Sequence, residues 1–141
     1  MSKRRTGRKL AMQIVYQSEL RLGTFPKLHE SLFNGINYHP ETVEWAKQLA
    51  SATLAHQAEI DDLLSFFSKG WALDRISAVD LAILRIAVCE LKYIGTPSAV
   101  VINEALEIAK RYSGDDSSKF INGILGGFLA SVDAKLADTS S

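Results

Sequence analysis

The chain has 141 residues, 47% of them hydrophobic and 23% charged, with a formal net charge of +0. That is the profile of one soluble globular domain long enough to bury a full core. A single cysteine, Cys89, excludes an internal disulfide framework and suits a reducing compartment, and no apolar run approaches the ~18 residues of a membrane span. The basic start runs into a helical pattern containing glutamine and glutamate, not an uninterrupted apolar leader, so the cytoplasm is the expected location.

Helical periodicity runs through the whole chain, and no stretch alternates as a strand would. Leu10, Ala11, Ile14, Val15 and Leu22 mark one face of a first helix that ends near Gly23. Pro26 opens a second helix, with Leu28, Leu32, Phe33 and Ile36 as its buried stripe, and Asn37 to Pro40 make a turn. A long third segment carries Val43, Ala46, Leu49, Ala50, Thr53, Leu54, Ile60, Leu64 and Phe67. It is one bent helix or two, closed at Gly70. Ser77-Ala78-Val79-Asp80 has the form of a capping box with aspartate in the return position, which places Ser77 at an N-cap. The helix that follows is apolar on almost every side, through Val79, Ile83, Leu84, Ile86, Ala87, Val88 and Leu91, and so belongs at the centre of the fold. Gly95 stops it, Thr96-Pro97 restarts the chain, and Gly114 ends the next helix. The last helix is expected from about Ser117 to Leu136, and residues 137–141 as a frayed tail. The fold class is all-α: a single domain over residues 1–141, built as a compact bundle of about six to seven helices.

Charge is placed unevenly. Lys3, Arg4, Arg5, Arg8 and Lys9 crowd an N-terminal arm, set at residues 1–8 and its border, with no acid among them. A neutral chain with such an arm still steers a polyanion, although a solubilising tail uses the same residues. At about 100° per residue, Tyr16 falls nearly opposite the apolar face of the first helix, and Arg5 and Lys9 fall close to Tyr16 if the helix reaches back that far. A ring aligned with cations suits single-stranded RNA, the base stacking on the ring and the cations meeting phosphates. Packing against a neighbouring helix is the other reading of Tyr16.

Near the other end, Ser113-Gly114-Asp115-Asp116-Ser117-Ser118 is a polar knot followed by Lys119 and Phe120. One aspartate caps the last helix, and the other is free to accept from a base. Phe120 lies at the edge of the arc formed by Ile121, Ile124, Leu125, Phe128 and Leu129, either as a stacking platform or as a satellite of the core. Arg85, a cation within a very apolar helix, reads as a paired structural charge. His29, His39 and His56 stand apart from one another and from Cys89, with neither metal-ligand spacing nor a triad, and the glycines form no phosphate loop. Nothing in the sequence supports an enzyme, a cofactor or a small-molecule substrate.

The arm leading into AMQIVYQ, the stretch DRISAVDLAILRIAVCEL and the stretch VINEALEIAKRYSGDDSSKFINGILGG, together with the length, resemble the NusB family of bacterial transcription antitermination factors. The resemblance covers nearly the whole chain. It implies an all-helical domain of two packed three-helix halves. It also implies two partners: the small ribosomal protein NusE, and the boxA RNA of ribosomal RNA operon leaders. The complex joins RNA polymerase and other Nus factors and promotes read-through of terminators. NusB-like proteins meet RNA through the arginine-rich arm, the tyrosine of the first helix, and the loop and aromatic before the last helix. The matching positions are Arg4, Arg5, Arg8, Tyr16, Asp116, Lys119 and Phe120. The NusE surface of the family surrounds the start of the central helix, which here holds Asp80. The chain departs from the family in two places: Cys89 stands where many relatives carry a tyrosine, and Thr6-Gly7 interrupts the arm. Two other readings remain: a helical protein–protein adaptor that binds no RNA, and a stand-alone relative of the N-terminal domain of RNA cytosine methyltransferases. The latter requires a Rossmann-like catalytic domain that these residues do not contain.

Overall fold

The structure, a computed structural model, describes residues 3–20, 37–68 and 72–140, with side chains through Val132. Among the described residues the elements are α1 (Lys3–Glu19), α2 (Pro40–Ala55), α3 (Gln57–Phe67), a 3-10 turn (Leu73–Arg75), α4 (Ala78–Cys89), a π turn (Glu90–Ile94), α5 (Ser98–Tyr112) and α6 (Asp115–Ser140). The expected second helix, with Pro26, Leu28, Leu32, Phe33 and Ile36, lies outside the described residues, as do the stops at Gly23 and Gly70.

The arm is not a separate segment. α1 begins at Lys3 and passes through Thr6-Gly7 without a break. Gly7 is there for space: a Cβ at this position would lie 2.5 Å from Trp45 Cδ1 and 3.2 Å from the Thr42 carbonyl oxygen. The missing side chain lets α1 settle closely on α2, the cost being the weak helix propensity of glycine.

His39 caps α2, its Nδ1 accepting from the Glu41 N–H at 3.1 Å, with Pro40 in the first turn. The long third segment resolves into two helices that part at His56, whose φ and ψ are −104° and 13°. No proline or glycine marks that break. The His56 ring stacks on Tyr93 from the π turn, with centroids 3.8 Å apart and 9° between planes. A tertiary contact therefore stands at the bend.

α4 lies at the centre, as its pattern predicts. Every residue from Asp80 to Cys89 is buried, and α4 touches each of the other five helices. Its fully buried aliphatic side chains each contribute about 1.5–3 kcal/mol relative to exposure. The two most extensive pairings, α1 with α2 and α5 with α6, share no helix, and α4 joins them. Arg85, expected as a paired charge, is held by Asp61 of α3 through two bonds (2.8 and 2.9 Å) and by Glu19 of α1 at 2.6 Å. Burial alone would push its pKa down. The hydrogen bonds and charges of Asp61 and Glu19 outweigh it, so the guanidinium pKa rises. Cys89 is fully buried, so its departure from the family pattern concerns the core and not a partner surface. Desolvation raises its thiol pKa, which leaves it a poor nucleophile.

Gly95, at φ 84°, ends the π turn, with its N–H and that of Thr96 both on the Glu90 carbonyl. α5 and α6 are separated only by Ser113 and Gly114, the latter at φ 111°, where glycine avoids the strain of a side chain. α6 starts at Asp115, two residues before the expected Ser117, and runs to Ser140, past Leu136. No helix of the described residues is long and apolar enough to cross a membrane.

Candidate nucleic-acid interface

The continuity of α1 decides which of its cations share a face. Arg5, Lys9 and Tyr16 are four and seven residues apart, so they fall within about 40° on one stripe. The alignment expected from sequence is present. Tyr16 is half-buried and packs against the core along one side, so the packing reading of this residue also holds.

Arg5 reaches α5 and binds Glu104, with Nε 3.0 Å from Oε2 and Nη2 3.2 Å from Oε1. Its pKa is raised, chiefly by the hydrogen bond to Glu104 and then by that carboxylate's charge. Arg4 lies over the Trp45 ring, 3.9 Å from its centroid, and Lys3 meets Glu41 at 3.2 Å. All three head groups stay at the surface, where a phosphate can compete for them.

Arg8 does not belong with them. Its guanidinium binds Glu90 through two bonds of 2.8 and 2.9 Å, and both side chains are nearly inaccessible. Glu90 also accepts from Thr96 Oγ1 at 3.0 Å. The expectation that Arg8 contacts RNA is corrected on that ground, because its charge is neutralised inside the protein. A sequence signal for this existed: Arg8 precedes Ala11, Met12 and Val15 by three, four and seven residues, the spacing of the buried stripe.

At the far end, Asp115 and Asp116 occupy the first turn of α6, where they complement the positive end of the helix dipole. Gly114, not an aspartate, precedes the helix, its carbonyl accepting from the Ser118 N–H at 3.1 Å. Asp116 and Lys119 are exposed, whereas Phe120 is half-buried and packs on the core.

Asp80 has a different surrounding from the one its family role suggests. Ser77 Oγ accepts from the Asp80 N–H at 3.2 Å, so the predicted N-cap is present. The Asp80 carboxylate does not return to Ser77. It accepts from Ser117 Oγ at 2.9 Å and is only 7% exposed, with Oδ1 buried and without a hydrogen-bond partner. Asp80 thus ties the start of α4 to the first turn of α6.

Sequence reasoning missed two contributors. Trp45, buried on α2, carries Arg4 on its ring and has Arg8 at 5.7 Å. The second is Lys110-Arg111-Tyr112, the last turn of α5, which with Arg5 and Lys9 borders a cleft of about 330 Å³. Two cations and an aromatic directly before the polar knot were a readable signal. No cluster of His, Cys, Asp and Glu among the described residues is arranged to hold a metal.

The sequence and the fold have counterparts among known proteins. The family model "NusB family" matches residues 5–130. The transcription antitermination protein NusB of Acetivibrio thermocellus is 41% identical over 124 residues, covering 87% of this chain and 86% of that protein. T. maritima NusB superposes with a TM-score of 0.80 at 34% identity, over 89% of each chain. A chain in the crystal structure of antitermination factors NusB and NusE in complex with dsRNA superposes with a TM-score of 0.85 at 25% identity, over 93% of this chain and 98% of that one. This chain belongs to the NusB family.

Proposed function

We propose that this protein is a cytoplasmic, non-catalytic transcription antitermination factor that binds boxA RNA together with NusE. In this role it joins the RNA polymerase complex with other Nus factors. The observation that carries the reading is the coincidence of two things. The fold matches a chain of a NusB–NusE–dsRNA complex with a TM-score of 0.85. The same fold here sets Arg5, Lys9 and Tyr16 along one face of an unbroken helix. Arg4 and Arg5 supply the phosphate contacts. Tyr16 and Phe120 offer partly exposed rings for bases, and Asp116 and Lys119 flank Phe120 with an acceptor and a cation. Asp80, with its carboxylate turned inward, serves NusE binding by holding the starts of α4 and α6 in register.

The test is fluorescence anisotropy with a boxA-like single-stranded RNA and a scrambled control, each with and without NusE. The boxA-like RNA is expected to bind preferentially, and more tightly with NusE present. With about three cations on phosphates, the log–log salt slope is expected near −2. Arg4→Ala/Arg5→Ala shallows that slope and, through the lost Trp45 and Glu104 contacts, lowers the melting temperature by only a few degrees. Equal binding of both RNAs with no effect of NusE, or a slope near zero, refutes the reading.

A further inference from the structure

The cleft between α1 and α5 is more than a gap beside Arg5. Four cations border it (Arg5, Lys9, Lys110 and Arg111) against two carboxylates, Glu104 and Glu107. Glu104 is already committed to Arg5 at 3.0 Å. Lys9, Lys110 and Arg111 form no ion pair among the described residues, and Glu107 is the one lining carboxylate not bound to Arg5, so the cleft keeps an excess of positive charge. Tyr112 closes one end with a ring 38% exposed, and the Arg111 guanidinium lies 5.8 Å from its centroid. The volume of about 330 Å³ falls in the range of small-ligand sites, roughly 300–1,000 Å³.

Position gives the cleft its meaning. One wall is the α1 stripe that leads from Arg5 and Lys9 to Tyr16. The other wall ends at Tyr112, and only Ser113 and Gly114 separate it from the turn carrying Asp116, Lys119 and Phe120. A strand of RNA that touches both the arm and the start of α6 has this cleft between its two ends. Cations beside an exposed ring form the combination that holds a phosphate and stacks a base without reading its edge.

We infer that the α1–α5 cleft is an RNA subsite for one nucleotide of a single strand, its phosphate on Lys9, Lys110 and Arg111 and its base on Tyr112. The inference rests on the RNA-binding reading above and adds to it a site between the two contact regions.

The experiment compares wild type, Lys110→Gln/Arg111→Gln, Tyr112→Ala and Tyr112→Phe in anisotropy titrations with the boxA-like RNA, with Arg4→Ala/Arg5→Ala as reference. Thermal melts check each fold. Tyr112→Ala is expected to weaken binding about 5- to 150-fold, and Tyr112→Phe, which keeps the ring, to restore it. The charge variant is expected to shallow the salt slope by up to about 0.7, the share of the single phosphate held in the cleft. If the arm variant weakens binding while the Lys110/Arg111 and Tyr112 variants bind like wild type, the subsite is overturned and the broader function stands. If wild type itself shows no preference for the boxA-like RNA, the function fails first. A Tyr112→Phe variant as weak as Tyr112→Ala, with both folded, also overturns the stacking role.

Discussion

Arg8→Ala is expected to act on folding and not on RNA contact. The Arg8–Glu90 pair is bidentate, at 2.8 and 2.9 Å, with side chains 7% and 2% exposed. Removing the guanidinium leaves Glu90 as an uncompensated charge beneath α1, relieved among the described residues only by Thr96 at 3.0 Å. Breaking one side of such a pair costs about 3–5 kcal/mol, a large part of the roughly 5–15 kcal/mol that holds a typical domain folded. At about 3 °C per kcal/mol for a chain of this size, the melting temperature falls by roughly 9–15 °C. Chemical denaturation measures the loss, and RNA titration at a temperature where the variant is still folded measures the rest. Affinity of the folded fraction is expected within about twofold of wild type. Arg8→Met/Glu90→Leu, which removes both charges and keeps the bulk, is expected to recover most of the stability. A folded Arg8→Ala protein with unchanged melting and sharply weaker RNA binding would return Arg8 to the RNA-facing set and refute the argument.

Gly7→Ala sets overpacking of about 1–3 kcal/mol, from a Cβ 2.5 Å from Trp45 Cδ1, against a helix-propensity gain of at most ~1 kcal/mol. A net loss and a melting decrease of a few degrees are expected, and a raised melting temperature refutes the close approach. Tyr93 donates its phenolic proton to Glu59, whose carboxylate raises the Tyr93 pKa to about 12. The folded protein holds this proton more tightly than the unfolded chain, whose tyrosines titrate near 10. The contribution to stability is therefore complete below about pH 10 and lost as pH rises toward 12. Ultraviolet titration of Tyr93, with the Glu59→Gln variant falling back toward 10, checks it, and a midpoint near 10 in wild type refutes the bond.

The parts of the fold that were readable from sequence are those set by local pattern. The continuous apolar character of Val79 to Leu91 placed α4 at the centre, Ser77 announced its N-cap, and the spacing of Arg5, Lys9 and Tyr16 gave a shared face. The parts that were not readable depend on partners distant in the chain. The helix parts at His56 where no proline or glycine stands, and the Tyr93 ring stacked there comes from 37 residues further along the chain. The Asp80 carboxylate abandons its local capping partner because Ser117, 37 residues away, takes it. Glu90 stands 82 residues from Arg8, and periodicity within one helix cannot name the acid that will neutralise its cation. The interface divides in the same way: its α1 residues were visible as a stripe, whereas the cleft exists only once α5 is laid beside them.

The link between α5 and α6 carries a consequence for the kinetics of recognition. A six-residue polar loop would have to be frozen when RNA arrives, at about 1–2 kcal/mol of backbone entropy per residue. Only Ser113 and Gly114 lie outside helix, so Asp116, Lys119 and Phe120 stand on a rigid rod before any ligand is present. Their ordering cost is met during folding and not during association. Docking onto such a surface is governed by diffusion and the field of the arm, not by loop rearrangement. The association rate should therefore respond steeply to salt and hardly at all to solvent viscosity beyond its effect on diffusion.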